Sequence, residues 1–374
     1  MPVIIKTYKY RLYPTPAQDR KLFRQMRVVR HFYNMCLDWR KNAYNVHGEK
    51  VSQDDTEKTV THYKRTFRYV AAEINSQSFK TATRRLDAAY EAFFKRGAGY
   101  PRFKSRKTFN SIGLGLENGA RIRGKRLYIK GISGIKIYFD RPLPPDLPDS
   151  AKKPSARVRY HAGRWYLTTP RRVYCKTLPE TGREIGIDMG IAKLFTLSDG
   201  TAIDNPRWYP EAQAKLRRLQ RRYQRAQKGS NNQRRRLQEV KRFQEHIANK
   251  RKDFINKVVH TLIRRYDMIA IEDLKITNMV RNKYLAKHIL NAGWGYFKIR
   301  LQQKAAETGR EIIMVDPAYT SKTCSQCGKI FHELTLADRW VRCDCGMSLD
   351  RDHNAAVNIL NRARTVRSGR KQSA

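Results

Sequence analysis

The sequence predicts an α+β chain of several domains: a small antiparallel β-barrel interrupted by a helical insertion, then an α/β domain carrying an inserted zinc ribbon. Three observations predict it. Alternating strand patterns at the start of the chain and again from Asn110 to Thr169 flank a helical stretch, 15–98, in which the first strand finds no partner. After Tyr174, short apolar strands alternate with long helices. Four cysteines, Cys324, Cys327, Cys343 and Cys345, stand in two pairs at metal-ligand spacing.

The opening VIIKTYKYRLY alternates, with Tyr8, Tyr10 and Leu12 on one face and Lys9 and Arg11 on the other, as in a half-buried strand. Thr15 then supplies an N-cap, Pro16 the first helical position and Gln18 the reciprocal residue of a capping box. Leu22, Met26, Val29, Tyr33 and Leu37 keep one helix face apolar until Gly48. After a polar stretch around Ser52 to Thr61, a second strong helix is predicted from about Ser76 to Lys95. Phe79, Ala82, Leu86, Tyr90 and Phe93 recur there at helical spacing, and Gly97 and Gly99 end it. The runs RLYIKG, GIKIYF, ARVRY and RWYLTT, broken by Gly131, Gly134, a proline loop and Gly163, read as antiparallel strands and turns. Further on, EIGIDMGI, LFTLS and TAI read as strands, and a long basic helical pair breaks at KGSNNQ. MIAIE and EIIMV return as strands around a helix near Trp294 to Glu307, and a final helix runs from about Asp352 to Arg362. The tail, 365–374, reads as basic and disordered.

Lys and Arg number 78 against 33 Asp and Glu, a formal charge of +45 over 374 residues, and self-repulsion on that scale calls for a polyanionic partner. Nucleic acid fits better than lipid, because no apolar run approaches the roughly 20 residues that a spanning helix requires. The cysteines point to metal binding in a reducing interior rather than to disulfides, so the expected compartment is the cytoplasm.

Three acidic motifs lie far apart: Asp188 in GIDMGI, Glu272 in MIAIEDL and Asp352 in DRDHNAAVNIL. Strand alternation sets Asp188 on one face with Gly186 and Gly190, which predicts close approach by a bulky substrate backbone. The same parity sets Glu272 with Met268 and Ala270, and the small face of the last helix can carry Asp352 to that sheet. Three carboxylates in one site repel unless cations sit between them, and two ions about 4 Å apart suit hydrolysis of a phosphodiester. Asp350, two residues before Asp352, ranks as a supporting or capping acid, Asp199 as a turn residue, and Asp273 as pointing away.

Cys324-Ser-Gln-Cys327-Gly and Cys343-Asp-Cys345-Gly form two knuckles, each followed by the glycine that a tight thiolate turn needs, and together they imply one structural zinc. The second knuckle is one residue shorter than the usual spacing, which makes the nearby His332 an alternative ligand. Cys36 and Cys175 read as packing residues.

Taken together, YKYRLYPTPAQ, the QSFKTATRRLDAAYEAFFKR helix with GYPRFKSR, GIDMGI, IAIEDL, TSKTCSQCG, the second CG knuckle and DRDHNAAVNI resemble, over nearly the whole chain, the TnpB family. These are transposon-encoded RNA-guided nucleases considered ancestral to type V CRISPR effectors. The resemblance implies a wedge-type barrel (1–14 and 99–178), a helical recognition domain (15–98) and a ribonuclease H-like RuvC nuclease domain (179–364) into which the zinc ribbon (320–349) is inserted. It puts catalysis and two magnesium ions, with manganese as a substitute, on Asp188, Glu272 and Asp352. The implied partners are a noncoding guide RNA from the transposon end and double-stranded target DNA bearing a short flanking motif; no membrane is involved.

Gln77, Phe79, Lys80, Thr108 and Asn110 are candidates for DNA contact at that motif, and Lys6, Lys9, Arg11, Arg102 and Lys104 for the RNA backbone. The expected reaction is guide-directed hydrolysis leaving 5′-phosphate and 3′-hydroxyl ends. Two rival classes share these features. One is an RNA-guided DNA-binding repressor without cleavage, against which the intact acidic set counts; the other is a transposase that joins DNA ends, for which no tyrosine nucleophile context stands out.

Overall fold

The computed structural model describes residues 3–116, 119–147, 155–335 and 338–372. It contains two compact units, one spanning Ile5–Val173 and a second that begins at Tyr174. Among the described residues, no helix is long and apolar enough to cross a membrane.

In the first unit, strand β1 (Val3–Tyr13) leads into α1 (Pro16–His47), α2 (Gln53–Thr66), the single turn α3 (Arg68–Ala71) and α4 (Ser76–Arg96). Strands β2 (Ser111–Gly115), β3 (Ala120–Arg123), β4 (Arg126–Ile129), β5 (Ile132–Tyr138), β6 (Ser155–His161) and β7 (Arg164–Tyr174) follow. The Thr15/Gln18 capping box forms, with the Thr15 amide donating to Gln18 Oε1 at 2.9 Å, and left-handed Gly48 ends α1. Ser52 and Asp55 build a second box at the start of α2. The strand order is β2-β6-β7-β1-β5-β4-β3, so β1 takes the middle of a sheet whose other strands all come after the helices.

Helix α4 lies tight on β2. Ser78 Oγ donates to the Gly113 carbonyl at 2.6 Å, and a Cβ at Gly113 would stand 2.4 Å from Thr81 Oγ1. Phe32, Tyr63 and Phe79 meet ring to ring at 4.9–5.5 Å in the core of this unit. Phe79 is fully buried there, which corrects its expected place at a DNA interface: it shares its helical phase with Ala82 and Leu86 and turns inward with them.

The second unit opens with β8 (Glu184–Asp188), β9 (Lys193–Leu197) and β10 (Ala202–Asp204), then α5 (Trp208–Gln224) and α6 (Asn231–Arg265). After β11 (Met268–Glu272) come α7 (Ile276–Met279), α8 (Lys283–Ala292), α9 (Trp294–Thr308) and β12 (Glu311–Val315). The small hairpin of β13 (Trp340–Arg342) and β14 (Ser348–Asp350) precedes α10 (Arg351–Gln372). Helices α7 and α8 were not expected from the sequence. The sheet order is β10-β9-β8-β11-β12, with β8, β11 and β12 parallel and β9 antiparallel to both its neighbours, β8 and β10.

Both sheet faces are covered. Ile185, Ile187, Ile269 and Ile271 join Phe195, Leu262 and Phe297 on one side. Met268, Ala270, Ile313 and Val315 pack under Ile359, Leu360 and Ala363 of α10 on the other.

Helix α10 runs through Gln372, correcting both the expected end near Arg362 and the disordered tail from 365. Arg364 and Arg367 each reach Glu184 at 2.8 Å and Arg367 also reaches Glu311 at 3.0 Å, so ion pairs to the sheet continue the helix where apolar spacing runs out. Residues 373 and 374 of that expected tail lie outside the described residues.

A Cβ added at Gly186 would fall 2.2 Å from the Ala356 carbonyl oxygen and 2.8 Å from the Leu360 nitrogen, both backbone atoms of α10. Gly186→Ala is therefore expected to destabilise this unit by about 3 kcal/mol, the upper range for overpacking. Urea unfolding of the two proteins measures it, and an unchanged midpoint would show that α10 can shift without cost.

Candidate active site

Strands β8 and β11 run parallel with Gly186 opposite Ala270 and Ile187 opposite Ile271. One further step along each brings Asp188 and Glu272 to the same C-terminal edge, where open α/β sheets place their ligands. By alternation both share the face of Gly186, Met268 and Ala270, which α10 covers. Asp350 caps α10: its Oδ1 accepts from the Asp352 amide at 3.0 Å and the His353 amide at 3.3 Å, and Oδ2 pairs with Lys193 at 3.4 Å. Asp352 thereby sits in the first turn of α10, and all three acids line one cavity of about 880 Å³.

The other acids are accounted for elsewhere. Asp199 holds its turn through the Thr201 amide at 2.9 Å and accepts the Tyr266 hydroxyl at 2.9 Å, while exposed Asp273 pairs with Lys298 of α9. The glycines beside Asp188 serve a different purpose from the one expected. Gly186 is filled by α10 and a Cβ at Gly190 would meet the Lys193 carbonyl at 2.6 Å, so both accommodate protein backbone rather than substrate.

Burial first, then the charges of Glu272 and Asp352, push the Asp188 carboxyl up to about 8. Burial also raises Glu272, against the Thr320 hydroxyl that donates to its Oε1 at 2.5 Å and the positive charge of Arg362. The cavity wall is basic, with Arg207, Arg251, Lys287, Arg339 and Arg351 among its residues. Arg207, at the start of α5, has a left-handed backbone (φ 45°), as does Tyr319 (φ 60°) just before Thr320; strain of this kind clusters at functional sites. Sequence reasoning missed Thr320 and this basic wall. A threonine four residues before a cysteine knuckle gives no local sign that it will meet a glutamate 48 positions away.

The four cysteines converge. Their sulfurs all lie within 4.8 Å of one another, with Cys324 to Cys345 at 3.6 Å and Cys327 to Cys343 at 3.5 Å. Tetrahedral zinc with bonds of about 2.3 Å needs sulfurs about 3.8 Å apart, so the donor set fits. His332 is exposed and outside this cluster, which removes it as the alternative ligand. The short knuckle closes with a tighter turn. The Gly346 amide bonds to the Cys343 carbonyl at 2.9 Å, one residue nearer than Gly328 to Cys324 at 3.0 Å, and both glycines have positive φ. Cys36 and Cys175 are buried packing residues as expected, and burial pushes the Cys36 thiol up to about 12.

The candidate nucleic-acid residues lie in the first unit. Half-buried Gln77 opens α4, and Lys80 pairs with Glu57 at 3.7 Å. Exposed Thr108 accepts from the Ser105 amide at 2.9 Å, and the Asn110 carbonyl accepts from the Tyr160 amide at 2.9 Å. Lys9 lies 3.9 Å from the Tyr166 ring centre and Arg11 4.6 Å from that of Tyr13; Lys6 is half-buried. Arg102 is exposed, and the Lys104 backbone is clamped by Asn34 at 2.8 and 3.1 Å.

The fold is that of a small CRISPR effector: a solved chain from the "Cryo-EM structure of the Cas12f1-sgRNA-target DNA complex" superposes with a TM-score of 0.57 at 15% identity, covering 96% of this chain and 99% of that one. Family models match in three places. The OrfB_IS605 model, described as "Probable transposase", covers 166–283, "Cas12f1-like, TNB domain" covers 294–359, and "Helix-turn-helix domain" covers 1–49. A "Putative RNA-guided DNA endonuclease" of Streptomyces pristinaespiralis is 34% identical over 364 residues, 96% of this chain and 90% of that protein. The "Putative RNA-guided DNA endonuclease InsQ" of Escherichia coli K12 is 28% identical over 379 residues, 95% and 92% of the two chains. The chain belongs to the TnpB family. Within the segment matched as helix-turn-helix, β1 precedes one uninterrupted helix of 32 residues, so α1 does not dock as that motif does.

Elemental analysis of the purified protein is expected to give one zinc per chain. Cys345→Ser should lose that zinc and lower the melting temperature, because binding at such sites is coupled to folding; full zinc retention would show that three thiolates suffice.

Proposed function

We propose that this protein is a transposon-encoded RNA-guided DNA endonuclease that hydrolyses guide-paired DNA beside a short flanking motif, leaving 5′-phosphate and 3′-hydroxyl ends. One observation carries the reading: three acids from distant elements line one cavity whose wall is basic. The relatives named as RNA-guided DNA endonucleases, and the similar chain solved with guide RNA and target DNA, support it. A charge of +45 suits two polyanionic strands.

Asp188, Glu272 and Asp352 are the residues that would hold magnesium or manganese, since carboxylate oxygens lining one cavity suit these hard cations. Such ions supply an activated water and stabilise the leaving oxygen when bound. The chain's own residues do the rest. Asp350 fixes Asp352 through the α10 cap, Thr320 orients Glu272, and the cations of the wall draw the DNA backbone in. Guide pairing reads sequence while the protein grips phosphates.

In this reading the β1–β7 sheet, 1–14 and 99–178, is the wedge-type barrel and 15–98 the recognition domain. The second unit is the ribonuclease H-like RuvC domain; a mixed five-stranded sheet in which β9 runs against the other four strands supports that assignment. Gln77, Lys80, Thr108 and Asn110 are proposed for DNA, and Lys6, Lys9, Arg11, Arg102 and Lys104 for RNA.

The ribonucleoprotein with a matched target is expected to cut, and Asp188→Ala to slow cutting by about a thousandfold or more, the several kcal/mol that metal-assisted catalysis supplies. Unchanged cleavage would remove the mechanism; binding without cutting by the native protein would restore the repressor, and joined ends the transposase.

Proton linkage gives a second expectation. Asp188 holds its proton up to about 8 when folded, against about 4 when unfolded, so the metal-free unit loses stability as pH rises between those values. Metal binding needs the ionised form, so the rise in melting temperature caused by manganese should grow across that window. A pH-independent rise would contradict the coupling.

A further inference from the structure

One face of α10 holds a stretch of chain that touches both metal-binding clusters. Asn354, Asn358 and Arg362 recur every four residues and so form a single helical stripe. Each binds backbone in the segment Asp316–Ser325. Arg362 Nη1 donates to the Asp316 and Ala318 carbonyls at 2.9 and 2.6 Å. Asn358 Nδ2 donates to those of Thr320 and Thr323 at 2.9 and 2.6 Å. Asn354 Nδ2 donates to Thr323 at 2.8 Å while its Oδ1 accepts from the Ser325 amide at 2.9 Å. Asn354 and Asn358 are buried, so the amide groups they satisfy are costly to leave unpaired.

Two residues of this strap face outward to chemistry. Thr320, 3% exposed, donates to Glu272 Oε1 at 2.5 Å, the shorter of its two contacts, the other being the Pro317 carbonyl at 3.1 Å. The donation fixes one carboxylate oxygen, and no described residue donates to the other. Four residues on, buried Cys324 supplies the first sulfur of the zinc cluster. Tyr319, in its left-handed conformation, bends the strap just before Thr320, so Thr320 cannot move independently of the segment that Asn358 grips.

We propose that Thr320 is a positioning residue for Glu272, and that the strap from Thr320 to Cys324 makes divalent-ion binding at the acids respond to zinc binding at the knuckles. The inference rests on the metal-binding reading of the acid cavity. Outer-shell partners of carboxylate ligands are worth about ten- to hundredfold in metal affinity, and a strap anchored at the Thr320 and Thr323 carbonyls transmits a shift at Cys324 rather than absorbing it.

The test uses the full chain, with manganese affinity read from free-ion electron paramagnetic resonance and zinc from mass spectrometry. Thr320→Val should weaken manganese binding about ten- to hundredfold with zinc content unchanged, and Thr320→Ser, which keeps the hydroxyl, should restore it. Asn358→Ala should weaken manganese in the zinc-loaded chain, and removing zinc should weaken it in the native chain while adding little in Asn358→Ala, because the two act through one connection. If the zinc-free chain unfolds, the zinc-loaded Asn358→Ala arm decides the coupling. Native manganese affinity in Thr320→Val, or failure of Thr320→Ser to restore it, overturns the role of Thr320. Native affinity in Asn358→Ala overturns the strap. A native chain that binds no manganese would instead sink the metal reading of the cavity itself.

Discussion

The nuclease-like unit depends on how closely α10 approaches β8. Gly186 leaves no room for even a methyl group beneath the Ala356 carbonyl, and Ile359, Leu360 and Ala363 of the helix settle on Met268, Ala270 and Ile313. That contact fixes helix height over the sheet, and helix height decides whether Asp352 stands beside Asp188 and Glu272. The capping bonds from Asp350 set where the helix starts, and Arg364 and Arg367 pin its later turns to Glu184 and Glu311. Small residues in the middle and polar anchors toward the ends therefore achieve together what neither would alone.

The electrostatics are those of a negative pit in a positive protein. In a chain with 78 basic side chains, Arg207, Arg251, Lys287, Arg339 and Arg351 line a cavity where burial and two neighbouring carboxylates hold Asp188 far above its ordinary range. The fold tolerates this because the acids sit on rigid elements rather than on loops that could splay apart. Under the proposed function, a site that resists its own charge would be prepared for cations, and a chain of net positive charge suits the polyanion they would act on. The cysteine knuckles gather different atoms, soft sulfur that suits a metal such as zinc, where the acid cavity offers hard oxygen.

Much of this was legible from the residues alone. The capping box at Thr15, the parity of Asp188 and Glu272 and the cysteine spacing are local patterns, and local geometry enforces them in the folded chain. The resemblance of motifs carried the family. What escaped were contacts between distant segments. Gly186 and Gly190 looked like space for a substrate because alternation tells which side a residue faces, but not what already occupies that side. Phe79 was offered to DNA although its helical phase put it in the core. The helical tail past Arg362 carries no apolar stripe to announce it, and its partners, Glu184 and Glu311, lie on strands far back in the chain. Thr320, Asn354 and Asn358 were invisible for the same reason.

The wide spacing of the acids also shapes how the unit comes into being on a ribosome. From Asp188 to Glu272 is 84 positions (272 − 188) and from Glu272 to Asp352 another 80 (352 − 272), or about 4 to 16 s of synthesis for the last stretch at typical ribosome speeds. During that interval β8 and β11 can already zip together, while the face bearing Met268 and Ala270 waits bare for its covering helix. The nascent protein thus carries an uncovered greasy surface late in translation, and the cavity lined by the three acids is incomplete until that helix has docked. Harmless immaturity and a brief aggregation hazard are two sides of one topology.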